Sequence, residues 1–276
     1  DATARRAGDR VGTPPREPAS YPRRMSSDPA ADRPDPLAWL VALEGVPSAY
    51  AATRDGIDVM LRDRGLRRTS PETTAESLLR GAHASAVLEG SASTLAEVRE
   101  GAGDEVARDA VRVSTELLSL VPRVRQSPLQ AFARIHALAA TGSVEPDRLG
   151  RPRDAEAAGR LRDIATVATS QGSEGAAPAL LVAAMVHAEL ISAAPFVSHN
   201  GIVARAVERL IIVARGVDEK SLCVPEAGHL ALRPAYESNL KGYAEGGAAG
   251  VHAWVLYGAE AFAAGAEASP LRRAAE

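Results

Sequence analysis

Between two strongly apolar stretches the sequence places Pro195-Phe196-Val197-Ser198-His199-Asn200-Gly201, with Arg205 four residues further on. A turn that opens a helix leaves backbone N–H groups without intrahelical partners, and those groups attract an anion. An arginine one turn inside the helix reaches the same anion with a charged fork. The same residues also read as a plain helix corner, with Ser198 or Asn200 capping the second helix and Arg205 paired with Glu208. Glu89 is the second chemistry-bearing position. It closes a helix just before Gly90, where a carboxylate meets the negative end of the macrodipole and calls for a cation. Ser85 shares its face at i, i+4 spacing. A solvated surface acid is the alternative there. Elsewhere the signal is thin. His83, His136, His229 and His252 lack a paired spacing such as H-x-x-x-H, so no metal site is expected. His187 sits in an apolar run and reads as a core histidine. The single Cys223 cannot form an internal disulfide and has no activating neighbour. The charges from Arg62-Asp63-Arg64 through Arg67-Arg68 read as a solvated helix end and turn.

The elements that must hold these residues are helices punctuated by Gly and Pro, with no strand alternation. Ser70-Pro71-Glu72 combines an N-cap hydroxyl, a Pro at the first helical position and an acid in the first turn, and Gly90 is placed to stop the helix that this cap starts. The spacing predicts helices over 71–89, 105–120, 128–140 and 155–170, with a loop over 141–154. Pro178 opens a segment from Ala179 to Ile191 that is apolar almost all round, as expected of a helix surrounded by others. A second apolar helix runs over 202–215 and stops at Gly216. Two more, over 234–244 and 250–267, finish the pattern.

Residues 1–36 carry seven prolines among Arg, Ser and Asp. Without a hydrophobic period they cannot offset ordering entropy, so this segment reads as a disordered tail. Met25 offers an alternative start of translation. The remainder divides into an N-terminal helical region, 37–125, and a core with closing helices, 126–270. Hydrophobic residues make up 46% and charged residues 24%, and no apolar run approaches the roughly 20 residues of a membrane span. A net charge of -3 excludes the broad basic footprint of a nucleic-acid binder. An aromatic content of 4% beside abundant Ala, Leu and Val favours an all-α fold. One cysteine fits a reducing cytoplasm.

Ala194-Pro195-Phe196-Val197-Ser198-His199-Asn200-Gly201-Ile202-Val203-Ala204-Arg205 resembles, without gaps, the motif H-P-F-x-[D/E]-G-N-G-R-x-x-R of the Fic (filamentation induced by cAMP) family, related to Doc. Pro195, Phe196, Asn200, Gly201 and Arg205 match it, and His187 stands where many members also have His. Ser85-Ala86-Val87-Leu88-Glu89-Gly90 resembles the family's inhibitory helix motif, [S/T]-x-x-x-E-[G/N]. His136 and Gly150-Arg151-Pro152-Arg153 are similar to its L-H and G-x-x-R stretch, and Tyr236, Leu240, Tyr243 and Trp254 to its closing helices. The resemblance spans residues 37–265.

What the resemblance implies is a helical Fic-fold bundle whose motif loop, here Ser198, Asn200, Gly201 and Arg205, holds the phosphates of a nucleotide, most often ATP, for transfer of AMP to a protein hydroxyl. It implies that Glu89 binds Arg205, with Ser85 and Gly90 part of the same inhibitory element. The departures from the motif fall on the chemistry. The family's base position is Ala194, whose methyl accepts no proton. The acidic Mg²⁺ ligand is Ser198, so Mg²⁺ is not expected. The following Gly is His199, whose side chain crowds the space near the phosphates, and the first motif Arg is Ile202. Only about 33 residues separate Arg153 from His187, leaving no recognisable β-hairpin flap. The expectation is therefore a cytoplasmic, catalytically impaired relative that acts by binding a nucleotide, a phosphate-like anion or a protein partner, with no nucleic acid and no membrane involved. An active nucleotidyl- or phosphotransferase using His199 as its base is the alternative, and a structural interaction domain with an empty motif loop is the third reading.

Overall fold

Runs of Ala, Leu, Val and Ile between Gly and Pro breaks fold, in a computed structural model, into thirteen α-helices among the described residues, 35–63, 70–170 and 177–272. In chain order they are α1 (Ala38–Val41), α2 (Val46–Asp63), α3 (Pro71–Leu88), α4 (Leu95–Arg99), α5 (Glu105–Glu116), α6 (Val121–Gln126), α7 (Pro128–Ala140), α8 (Ala155–Thr169), α9 (Ala179–Ala193), α10 (Asn200–Ala214), α11 (Pro225–Ala231), α12 (Arg233–Glu245) and α13 (Ala248–Glu267). Short 3₁₀ turns cover Leu117–Leu120 and Pro146–Arg148. No strand occurs among the described residues, where Thr141 and Val144 form an isolated bridge. The tail with Met25, and positions 64–68 of the charge run, lie outside the described residues. Arg62 pairs with Asp58 at 3.5 Å.

The helix expected over 105–120 ends at Glu116 because its last four residues tighten into the 3₁₀ turn. The helix expected from 202 begins two residues earlier, at Asn200. α4, α6 and α11 escape the sequence pattern because five to seven residues are too few for a 3.6-residue period to repeat. Ser70 occupies the N-cap of α3, but its side chain makes no capping bond. Thr94 and Glu97 form a full capping box on α4, and Asp104 and Asp154 cap α5 and α8 through the N–H groups of Ala107 and Ala157.

α9 is the central helix. Leu180 through Ala188 are all buried, and α8, α10, α12 and α13 pack around them. The Trp254 indole N–H donates to the Ala184 carbonyl of α9 at 2.9 Å. Tyr50 and Thr53 on α2 donate to the Val255 and Ala259 carbonyls of α13. No helix among the described residues is long and apolar enough to cross a membrane.

Two ends of this framework matter for the motif region. α9 ends on Ala194 in the left-handed conformation, φ +39°. α3 ends on Glu89, followed by Gly90 at φ +97°. The Gly90 N–H donates to the Val87 carbonyl and the Ser91 N–H to the Ala86 carbonyl, a Schellman closure that needs the freedom of glycine at this one position. This closure sets the direction in which the Glu89 side chain leaves the helix. Gly90→Ala is expected to lower the unfolding free energy by about 1–2 kcal/mol, the penalty for a side chain in left-handed backbone. Urea denaturation measures it.

Candidate functional site

The loop Pro195 to His199 closes on itself before α10 begins. Asn200 Oδ1 accepts from the Phe196 N–H at 3.0 Å, and Asn200 Nδ2 donates to the Phe196 carbonyl at 2.9 Å. His199 takes the N-cap position at φ +57° and makes no side-chain capping bond. Neither Ser198 nor Asn200 caps the helix, which corrects the helix-corner reading. Phe196 stacks on the buried His136 ring, with centroids 4.2 Å apart. The loop over 141–154 is tied to the same place. The Gly150 N–H donates to His136 Nδ1, the Arg153 N–H to the Pro195 carbonyl, and Arg153 Nη1 to the Ala194 carbonyl. Residues scattered from 136 to 200 thus converge on one turn.

Arg205, one turn inside α10, is 2% exposed and bonded on every side. Its Nε donates to Ser85 Oγ at 2.9 Å, Nη1 to the Tyr236 hydroxyl at 3.2 Å, and Nη2 to the Ser85 carbonyl and, at 2.6 Å, to Glu89 Oε1. Arg205 does not pair with Glu208. Burial alone would depress the guanidinium, yet Tyr236 and Glu89 raise its pKa above the ordinary value, so it is charged at all relevant pH. The Glu89 carboxylate also lies directly against Gly201, where an added Cβ would collide with Oε1. It therefore covers the N-terminal turn of α10, the place at which the motif spacing suggests an anion. Glu89 is 33% exposed, so the pair is half-buried rather than sealed.

Behind Arg205 lies a cluster that linear spacing could not reveal. His187 on α9, Glu208 on α10 and His229 on α11 are fully buried, with donor atoms within 4.8 Å of one another. Glu208 Oε2 is 2.9 Å from His229 Nε2, and Oε1 is 2.9 Å from His187 Nδ1, a close contact without hydrogen-bond alignment. Such a trio has the composition of a metal-ligand set. The hydroxyls around it assign protons differently. Arg205 donates to the Tyr236 oxygen, which leaves the Tyr236 hydrogen for His187 Nε2 and puts the His187 proton on Nδ1, facing Glu208. Tyr257 plays the same part at His229 Nδ1. Glu208 is then a buried carboxylate flanked by two imidazole N–H groups. Burial pushes its pKa up, but His187 and His229 outweigh that and hold it down, to about 2. Cys223 is buried, with its thiol pushed up by burial, and is not a thiolate.

Beyond Ser198 lies a second chain of contacts. Ser198 Oγ is 2.7 Å from His199 Nδ1, and His199 Nε2 is 3.2 Å from Asp109 Oδ2 on α5. Ile202, at the position of the first motif arginine, is buried among apolar side chains.

The arrangement of helices is that of known structures. It is similar to the Fic family protein from Desulfovibrio desulfuricans G20 (TM-score 0.61, 16% identity, covering 78% of this chain and 73% of that one). It is also similar to Fic-1 residues 134–508 from C. elegans (TM-score 0.62, 17% identity, 81% and 71%). The chain has the Fic fold. A Fic domain containing signaling protein from Bacteroides thetaiotaomicron VPI-5482 aligns over 80% of this chain and 98% of its own, at a TM-score of 0.53 and 11% identity. No protein-family model and no curated protein sequence matches the chain. In this Fic-fold protein the long helices from α3 onward were legible from sequence while α2 (Val46–Asp63) was not, and Asp109, Tyr236 and the Glu208 cluster joined the motif region only through packing.

Two measurements test the site. Gly201→Ala pushes chiefly against the flexible end of Glu89. It is expected to leave the fold intact while freeing the carboxylate, seen as faster hydrogen exchange of the amides at the start of α10. The second measurement is stability against pH. Burial holds the imidazoles of His187 and His136 below their ordinary 6.5, at about 4. The unfolded chain takes up those protons near 6.5 and the folded chain only near 4. Stability is therefore complete above pH 6.5 and is lost as pH falls toward 4, on the order of 3 kcal/mol for the fully buried His187 and less for His136. Urea unfolding at pH 7 and 4.5 is expected to show the drop, and His187→Gln to reduce its slope.

Proposed function

We propose that this chain is a Fic-fold binding protein without AMP-transferase activity, in which Glu89 keeps the anion-binding start of α10 closed. The observation that carries this reading is the seat of the Glu89 carboxylate, 2.6 Å from Arg205 and against Gly201, beside a base position occupied by Ala194. Loss of a general base alone removes a factor of about 10²–10⁴. The remaining residues do not fit a magnesium nucleoside triphosphate. Ser198 faces His199 rather than an open metal position, Ile202 is buried, and the helix start is covered by a carboxylate. A ligand that fits carries a single anionic group able to take the place of Glu89 on Arg205, whether a nucleotide monophosphate or an acidic side chain of a protein partner.

A second reading has one observation in its favour. His199 Nε2 points to Asp109, as a base held by an orienting carboxylate does. On that reading His199 serves as the base of a rearranged transferase.

Isothermal calorimetry with ATP, ADP and AMP, with and without Mg²⁺, and labelling with α- and γ-labelled ATP separate the two. The expected result is binding of AMP that strengthens in Glu89→Ala, needs no Mg²⁺, and is accompanied by no label transfer. Glu89→Ala is also expected to lower stability by about 1.5–3 kcal/mol, the range for a hydrogen bond to a charged group. Ala194→His is expected to remain inactive, and vigorous labelling of a protein hydroxyl by either variant or by the unaltered chain would defeat this reading.

A further inference from the structure

Ser198, His199 and Asp109 carry a connected set of proton assignments. Asp109 is 3% exposed on its side chain, and its Oδ1 accepts from Arg112 at 3.0 Å. Its Oδ2 therefore receives the proton of His199 Nε2. That leaves the lone pair of His199 Nδ1 facing Ser198, whose hydroxyl must donate across 2.7 Å. A hydroxyl on a neutral imidazole that is itself held by a buried carboxylate is the signature of an activated nucleophile, recognised by roles rather than by order in the chain. The ring nitrogens are used in the opposite sense to the usual triad, which the consecutive placement of Ser198 and His199 imposes.

Backbone conformation and position are consistent with a site. His199 sits at φ +57°, a conformation that disfavours a side chain and that helix capping does not use here. The ring is 16% exposed and Ser198 is half-buried, so both can be reached from solvent. Glu89 and Asp109 place carboxylates on either side of this turn, so an uncharged ester meets no repulsion there, whereas an anion enters only by displacing Glu89. Val197, 43% exposed beside Ser198, offers an apolar contact.

We propose that Ser198, His199 and Asp109 form a nucleophilic triad that accepts the acyl group of small neutral esters. In the first step the Ser198 Oγ–carbonyl bond forms as His199 Nδ1 takes the hydroxyl proton. The ester C–O bond then breaks, and the proton passes to the departing alkoxide. Water repeats the sequence on the acyl-serine, releasing a carboxylic acid and restoring Ser198, so ester and water yield acid and alcohol. The inference does not rest on how the start of α10 treats nucleotides.

The test uses the full chain with an alkyl fluorophosphonate, which forms a Ser O–P bond with loss of fluoride, and with p-nitrophenyl acetate. Mass spectrometry of peptides is expected to find the label on Ser198 and to find none in Ser198→Ala. His199→Gln is expected to slow labelling about 10²-fold, the lower end for loss of a general base. Circular dichroism and melting establish that each variant is folded. Asp109→Asn, checked for folding in the same way, is expected to slow labelling as well, and an unchanged rate removes Asp109 from the triad. A folded chain that leaves Ser198 unlabelled, or a labelling rate that His199→Gln does not change, overturns the triad. Faster turnover of p-nitrophenyl phosphate than of the acetate overturns the assignment to neutral esters.

Discussion

Helix α10 carries Arg205, Glu208 and Arg209 into the interior, and each of these charges must be met by groups from other helices. Arg205 is met by Ser85, Glu89 and Tyr236, Glu208 by His187 and His229, and Arg209 by Ser77, Ser221 and Glu226. An uncompensated charge in such a place is worth several kcal/mol against the fold. The relative positions of α3, α9, α11 and α12 around α10 therefore follow from electrostatic necessity as much as from apolar packing. Apolar burial draws these helices together but does not select their register. The charged contacts do that, because each has a direction and a length.

The same contacts bind the motif region to the core. A path of hydrogen bonds leads from Glu89 through Arg205 and Tyr236 to His187, and continues by a close His187–Glu208 contact to His229 and Tyr257. The tautomer of each ring is set by its neighbour's protonation. A change at the exposed end of this path, where Glu89 meets solvent, is felt first as a loosening of the arginine. Glu89 is the partly exposed end of this path, and Arg205 the buried group next to it.

Much of this architecture can be read from the chain. The apolar stretch from Ala179 to Ile191, the breaks at Gly90 and Gly216, and the turn from Pro195 to Gly201 mark helices and corners that the structure reproduces within a few residues. The short helices α4, α6 and α11 are invisible because their periodicity has no length in which to repeat. Spacing also misleads at the turn itself. Asn200 and Ser198 have the chemistry of N-caps, yet the loop claims the Asn200 amide and His199 claims the Ser198 hydroxyl.

The resemblance of Ser85 to Gly90 and of Ala194 to Arg205 to one motif set brought Glu89 and Arg205 to one site, since residue identity is fully present in the linear chain. The departures, Ala194, Ser198, His199 and Ile202, were legible for the same reason. What only folding decided is which side chains from distant positions meet. Asp109 beside His199, Tyr236 beside Arg205, and the histidines of α9 and α11 on either side of Glu208 lie 21 to 90 residues apart along the chain. Local patterns encode the period of each helix. The direction of a hydrogen bond between two helices depends on how both are packed, and no single stretch of sequence contains that information.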